Sequence, residues 1–312
     1  MTAIDFGIVF PGEGISHELL EQALLRFSAH PLIRQLFAIF GAFQVDDLDL
    51  FDPAVAQPVI YALGIVAVQS RFGRGTRAPL VFGHSLGELT AAACAGVIDV
   101  DSGLHLALKR GRLCRNAHVP GAMVSVVAPT LDAIERLRRS TRAAVPGVLE
   151  VAAINSGCQA VLSGDAALVA KAIELAGADG LRAELLPIDG AQHSSRMIAV
   201  LPAWRRAVQA QEFRSGHSPL LCAIDARQHT DPNEIRELLI RALPMPVRWS
   251  ETLATAREFE FAGLLDAGPG QTLVDLTRRD PIVPIEPMDN HQPGRGNHPP
   301  VVNGINSSSG LE

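Results

Sequence analysis

Gly83-His84-Ser85-Leu86-Gly87 is a G-x-S-x-G pentapeptide set between an apolar run at 80–82 and a helical pattern at 86–95. A serine hydroxyl is a weak nucleophile until a base removes its proton, and a sharp strand-to-helix turn is where such a serine is best presented. Glycines two before and two after leave room for the strand and helix to approach each other. The helix N-terminus then aims backbone N–H groups at developing negative charge. The small residues Ala91-Ala92-Ala93 and Ala95-Gly96 let that helix lie close to a sheet. The plainer alternative is a tight turn whose serine only caps a helix. The strand–turn–helix setting favours catalysis.

The base must come from ten histidines. His291 and His298 fall in a polar C-terminal stretch. His30, His105, His118, His217 and His229 sit in polar or helical settings with no partner signal, and His17 opens a helix. His84 adjoins Ser85 but should point away from it if the turn is sharp. His193 follows Pro187-Ile188-Asp189-Gly190-Ala191-Gln192, and Asp189 is placed to orient it, which would complete a Ser–His–Asp arrangement. A structural histidine is the competing reading. Cys94, Cys114, Cys158 and Cys222 lack metal-ligand spacing and read as buried free thiols, which points to a reducing, cytoplasmic compartment.

Positioning these side chains takes an α/β fold. Residues 6–10 read as a buried parallel strand closed by Pro11-Gly12, followed by helical patterning over 16–43 and a largely apolar helix over 58–72. The strand at 80–82 and the helix at 86–95 complete an alternation that argues for a parallel sheet of α/β-hydrolase-like kind, covered on both faces. Near Gly121 the texture changes. Strands at 123–127, 151–154, 160–162 and 183–187, with helices at 131–139 and 166–176, fit an inserted ferredoxin-like α+β unit. The domains expected are therefore 1–119 with 188–280 as a discontinuous catalytic domain, 120–187 as the small subdomain, and 281–312 as a disordered tail. Further strands are expected at 220–224 and 259–265, and the last six residues resemble an added tag.

Composition narrows the function classes. Hydrophobic residues make up 47% and charged residues 19%, the profile of a globular enzyme. A net charge of −6 with scattered arginines supplies no basic stripe for nucleic acid. No apolar run approaches the roughly 18 residues that read as a membrane span, and the N-terminus lacks a secretory pattern.

Several separate blocks then resemble one family, the malonyl-CoA:acyl carrier protein transacylases together with the acyltransferase domains of polyketide synthases, a free-standing trans-acting one included. They are Phe10-Pro11-Gly12-Glu13-Gly14, Gly83 to Glu88, Cys94 to Asp99, Lys109-Arg110-Gly111, Asn155-Ser156-Gly157, Val161 to Gly164, Gln192-His193-Ser194, Pro246 to Trp249 and Gly268-Pro269-Gly270. The resemblance implies a Ser85 acyl-enzyme with His193 as general base, and an oxyanion hole from the backbone N–H groups of Leu86 and Glu13. It implies that Arg110 grips the free carboxylate of a malonyl-type group, a task suited to a guanidinium fork that keeps its charge when buried. Without the resemblance, Arg110 reads as part of an exposed basic helix face. Asn155 and His84 match positions near the acyl pocket. The resemblance also implies that a backbone carbonyl, at the position of Arg248, holds the histidine, which makes Asp189 structural. The implied substrates are malonyl-CoA or a related thioester and an acyl carrier protein, with no metal or redox cofactor.

Two positions depart from the family pattern. Glu13 stands where Gln is usual, and a carboxylate there opposes the oxyanion unless it points to solvent. Gln192 stands where malonyl-selective members carry Phe and methylmalonyl-selective members Ser, so a polar or nonstandard acyl group is an option. Two other functions compete with transfer: hydrolysis of acyl groups from carrier proteins by the same Ser85 and His193, and a noncatalytic scaffold. Retained Ser85, His193 and Arg110 favour transfer.

Overall fold

The computed structural model describes residues 2–116, 121–278 and 282–290. The first segment holds β1 (Gly7–Phe10), α1 (His17–Arg26), α2 (Pro31–Phe40), α3 (Pro53–Phe72), β2 (Val81–Gly83), α4 (Gly87–Cys94) and α5 (Val100–Arg115). The chain then passes into β3 (Gly121–Val127), α6 (Leu131–Ala144), β4 (Leu149–Ser156), β5 (Gln159–Asp165), α7 (Ala166–Ala178) and β6 (Arg182–Leu185). It returns through α8 (Leu201–Gln209), β7 (Leu220–Cys222), β8 (Arg227–His229), α9 (Pro232–Arg241), α10 (Trp249–Ala256), β9 (Leu264–Asp266), α11 (Thr272–Thr277) and β10 (Ile285–Pro287).

The large sheet runs β10-β9-β1-β2-β7-β8 and is parallel except for the β7–β8 pair. Phe10 lies opposite Gly83 in the β1–β2 register, so the loops after both strands leave the same edge side by side. That crevice beyond the carboxyl ends of parallel strands is where such sheets bind ligands. The small sheet runs β4-β5-β3-β6 and is antiparallel throughout, with α6 and α7 packed on one face through Ile134, Leu137, Leu168 and Val169. A strand-helix-strand-strand-helix-strand chain order with this strand order is the ferredoxin-like arrangement expected of the insert.

Helix α3 begins earlier than its pattern suggested, because Asp52 caps the Ala54 amide at 2.8 Å and Pro53 takes the first helical position. By length and apolar composition, α3 qualifies as a membrane-crossing helix, contrary to the expectation that no such run exists. It nevertheless lies within the core, with 78% of its most apolar stretch buried. Small residues bring α5 against it: a side chain at Gly111 would overlap the Pro53 carbonyl oxygen, and one at Gly103 the Tyr61 hydroxyl. Close docking of α5 turns Arg110 inward, to 5% exposure.

The tail expected to begin at 281 is ordered for its first part. Ile285–Pro287 adds to the sheet edge beside β9, and Val283, Ile285 and Met288 are buried. Three buried residues are enough to complete an edge, yet too few to register as an apolar period. Residues 291–312, the rest of that expected tail, lie outside the described residues.

Candidate active site

Ser85 occupies the turn between β2 and α4 with φ of +56°, a left-handed backbone that non-glycine residues adopt only when held there. The holding groups are the flanking glycines. A Cβ on Gly83 would overlap the Gly87 backbone, and one on Gly87 the Phe10 carbonyl oxygen. The His84 amide donates to that same carbonyl at 2.9 Å, fastening the elbow to β1.

The Ser85 hydroxyl donates to His193 Nε2 across 2.6 Å, joining side chains 108 residues apart. His193 also has φ of +56° and is 4% exposed. Its Nδ1–H donates to the Met245 carbonyl oxygen at 2.8 Å, which leaves Nε2 as the acceptor. Burial, with the Arg110 charge adding to it, lowers the His193 pKa to about 3 against the opposing pull of the Met245 carbonyl. The imidazole is therefore neutral at ordinary pH and able to take a proton.

Two expectations about this histidine need correcting. The orienting carbonyl belongs to Met245, not Arg248, whose carbonyl instead accepts from the amide and hydroxyl of Thr252 inside α10. The Arg248 side chain pairs with Glu251. Asp189 is exposed and does not hold the ring, so the Ser–His–Asp arrangement does not form.

Arg110 comes from the side of α5. Its Nη2 donates to Ser85 Oγ at 3.1 Å, while Nη1 is buried without a partner among the described residues. His84 turns away from the nucleophile: its Nε2–H donates to Asn155 Oδ1 at 3.1 Å, and its ring packs edge-on against Trp249. Burial lowers its pKa to about 4. Asn155 sits on β4, so this bond ties the small subdomain to the elbow. Neither the Leu86 nor the Glu13 amide donates to a protein acceptor among the described residues; Leu86 follows Ser85 at the start of α4, and Glu13, in the loop after β1, lines the same cavity as Ser85.

Glu13 is half-buried and lines the cavity over Ser85, with its carboxylate engaged by neighbouring side chains. Its Oε2 accepts from Gln57 Nε2 at 3.0 Å and from Gln192 Nε2 at 2.7 Å. Burial raises its pKa, opposed by the Arg110 charge and these two amides. Gln192, which the sequence suggested as a free polar group of the acyl pocket, therefore spends its amide nitrogen on Glu13. Gln57 and Met245 were missed. Gln57 carried a signal, as a polar residue inside an apolar helix, and is fully buried.

A cavity of about 270 Å³ opens over the nucleophile between the two subdomains. Ser85, His193, Glu13 and Gln192 line it from the large domain, and Met123 and Asn155 from the small one.

The acyl transferase domain family matches residues 44–280 of this chain. The malonyl CoA-acyl carrier protein transacylase of Escherichia coli (strain K12) is 27% identical over 289 residues, which is 88% of this chain and 92% of that protein. Among solved structures, the acyl-carrier-protein S-malonyltransferase of Burkholderia pseudomallei superposes with a TM-score of 0.80 at 26% identity, covering 91% of this chain and 96% of that one. A malonyl-transacylase solved with its type II polyketide acyl carrier protein reaches 0.77 at 30% identity, covering 88% and 92%.

Proposed function

As the chain belongs to the acyl transferase domain family, we propose that it moves a malonyl-type acyl group from coenzyme A to the phosphopantetheine thiol of an acyl carrier protein. The observation that carries this reading is the 2.6 Å contact between Ser85 Oγ and a neutral His193 Nε2, with the Arg110 guanidinium on the same oxygen.

In the first half-reaction His193 Nε2 takes the Ser85 proton as Oγ attacks the thioester carbonyl. The C–O bond forms and negative charge gathers on the carbonyl oxygen, where the Leu86 and Glu13 amides are offered as donors. Collapse breaks the C–S bond, and the departing thiolate takes the proton back from His193. In the second half-reaction His193 deprotonates the carrier thiol, the thiolate attacks the Ser85 ester, and Ser85 leaves with that proton. Atoms and charges balance with groups the chain and its substrates supply. Arg110 is the partner for the acyl carboxylate through Nη1, giving up its hold on Ser85 or sharing it. The free thiols and thioester substrate fit a reducing compartment, and we place the reaction in the cytoplasm.

Intact-mass measurement after exposure to malonyl-CoA, with and without a phosphopantetheinylated carrier protein, tests this. The expected result is one malonyl adduct, lost in Ser85→Ala, that passes to the carrier. Free malonate as the main product would establish hydrolysis instead, and no adduct at all would leave a scaffold.

A further inference from the structure

The two residues that depart from the family pattern are bonded to each other. Glu13 and Gln192 are 179 positions apart, and Gln57 joins them on the same carboxylate oxygen. The other oxygen, Glu13 Oε1, accepts nothing from the described residues. Gln57 Oε1 is buried without a partner, and so is Arg110 Nη1. Of the residues carrying these atoms, Glu13 lines the cavity over Ser85, while the Gln57 and Arg110 atoms are enclosed outside its lining.

A malonyl carboxylate is an acceptor only. It answers the Arg110 charge, but it sets a second anion beside the cavity-lining Glu13 and offers Glu13 Oε1 no donor. An acyl group that also carries an N–H or O–H answers both the Arg110 charge and the Glu13 carboxylate. A site built to hydrogen-bond such a group rejects the analogue that lacks it strongly, because its buried polar atoms are then left unpaired.

We propose that Glu13, held by Gln57 and Gln192, is a specificity determinant that selects acyl groups presenting a hydrogen-bond donor beside their distal carbonyl or carboxylate. Malonyl half-amides and malonyl groups bearing hydroxyl or amino substituents make up this class. The inference rests on the transfer reading and narrows its substrate.

The test compares Ser85 ester formation from malonyl-CoA, from its half-amide malonamyl-CoA, and from acetyl-CoA, using the full chain and intact mass. Malonamyl-CoA is expected to acylate with a kcat/KM at least ~10-fold above that of malonyl-CoA. Glu13→Gln, which keeps the shape and removes the charge, is expected to reverse that order. Gln192→Leu, which lets the carboxylate move, is expected to shrink the ratio, and it serves if Glu13→Gln does not fold. A wild-type preference for malonyl-CoA over malonamyl-CoA, or a ratio unmoved by either variant, overturns the proposal while leaving the transfer reading intact. No ester from any of the three thioesters overturns both.

Discussion

At the scale of single side chains, the base and the cation beside the nucleophile act on one another. Arg110 adds to burial in holding His193 deprotonated, so the base is free wherever the pH exceeds about 3. The sign follows directly: protonation is what removes the base, and a lowered pKa pushes that loss to stronger acid. Acylation of Ser85 is thus expected to stay level from pH 8 to below pH 5 while near-ultraviolet circular dichroism is unchanged; a titration near 6.5 would show that His193 is not so enclosed. His193→Ala should slow both half-reactions by roughly 10²–10⁴-fold, the usual contribution of a positioned base. For Arg110→Ala the informative quantity is a ratio. Losing a charge-assisted hydrogen bond costs about 1.5–3 kcal/mol, or some 10- to 150-fold, and only a carboxylated acyl group loses it. Malonyl-CoA should therefore suffer by about that factor more than acetyl-CoA, measured as kcat/KM for ester formation; equal losses would remove the carboxylate-gripping role.

At the scale of elements, the site depends on how closely α4 approaches the end of β1. Gly87→Ala puts a Cβ onto the Phe10 carbonyl oxygen, a backbone atom that cannot step aside. About 1–3 kcal/mol of stability should be lost, with ester formation at the displaced Ser85 falling as well. Gly177→Ala is the control: it lies in α7 with nothing near its added Cβ, and should raise the melting temperature slightly. The elbow was legible in the sequence because glycine spacing, apolar strand and small-residue helix all state the same geometry. Ser85 was named from that elbow, His193 from residue type together with the resemblance, and Arg110 from the resemblance alone. Met245 was not legible, since its contribution is a main-chain carbonyl that any residue supplies. Glu13 and Gln192 were each noticed as departures, but a hydrogen bond between positions 179 apart leaves no local trace. Strands β8 and β10 escaped notice because three residues at a sheet edge need no apolar run.

Across the whole molecule, the buried groups of His84, His193, Glu88 and Asp266 set opposing dependences of stability on pH. His84 and His193 have folded pKa values of about 4 and 3, below the ordinary histidine value. Between those values and 6.5 the unfolded chain binds more protons, so their contribution falls as the pH drops through that window. Glu88 and Asp266 are the reverse: burial raises both to about 7, so from about 4 to 7 the folded chain binds more protons and stability falls as pH rises. From 4.5 to 6.5 the pairs offset each other. Glu88 is the better one to isolate, because its Oε1 accepts from the Ala223 amide at 2.6 Å, a bond that a glutamine oxygen can keep. That bond also joins α4 to the loop whose Ala223 carbonyl accepts from the Arg248 amide, three residues after Met245. Glu88→Gln removes the titration and retains the link. Its melting temperature, taken as variant minus wild type, should therefore rise by a few degrees between pH 5 and pH 8, reflecting at most roughly 3 kcal/mol for a shift of this size. A flat difference across that range would mean the carboxyl ionises in the folded chain at its ordinary value, and that water reaches the helix behind the nucleophile.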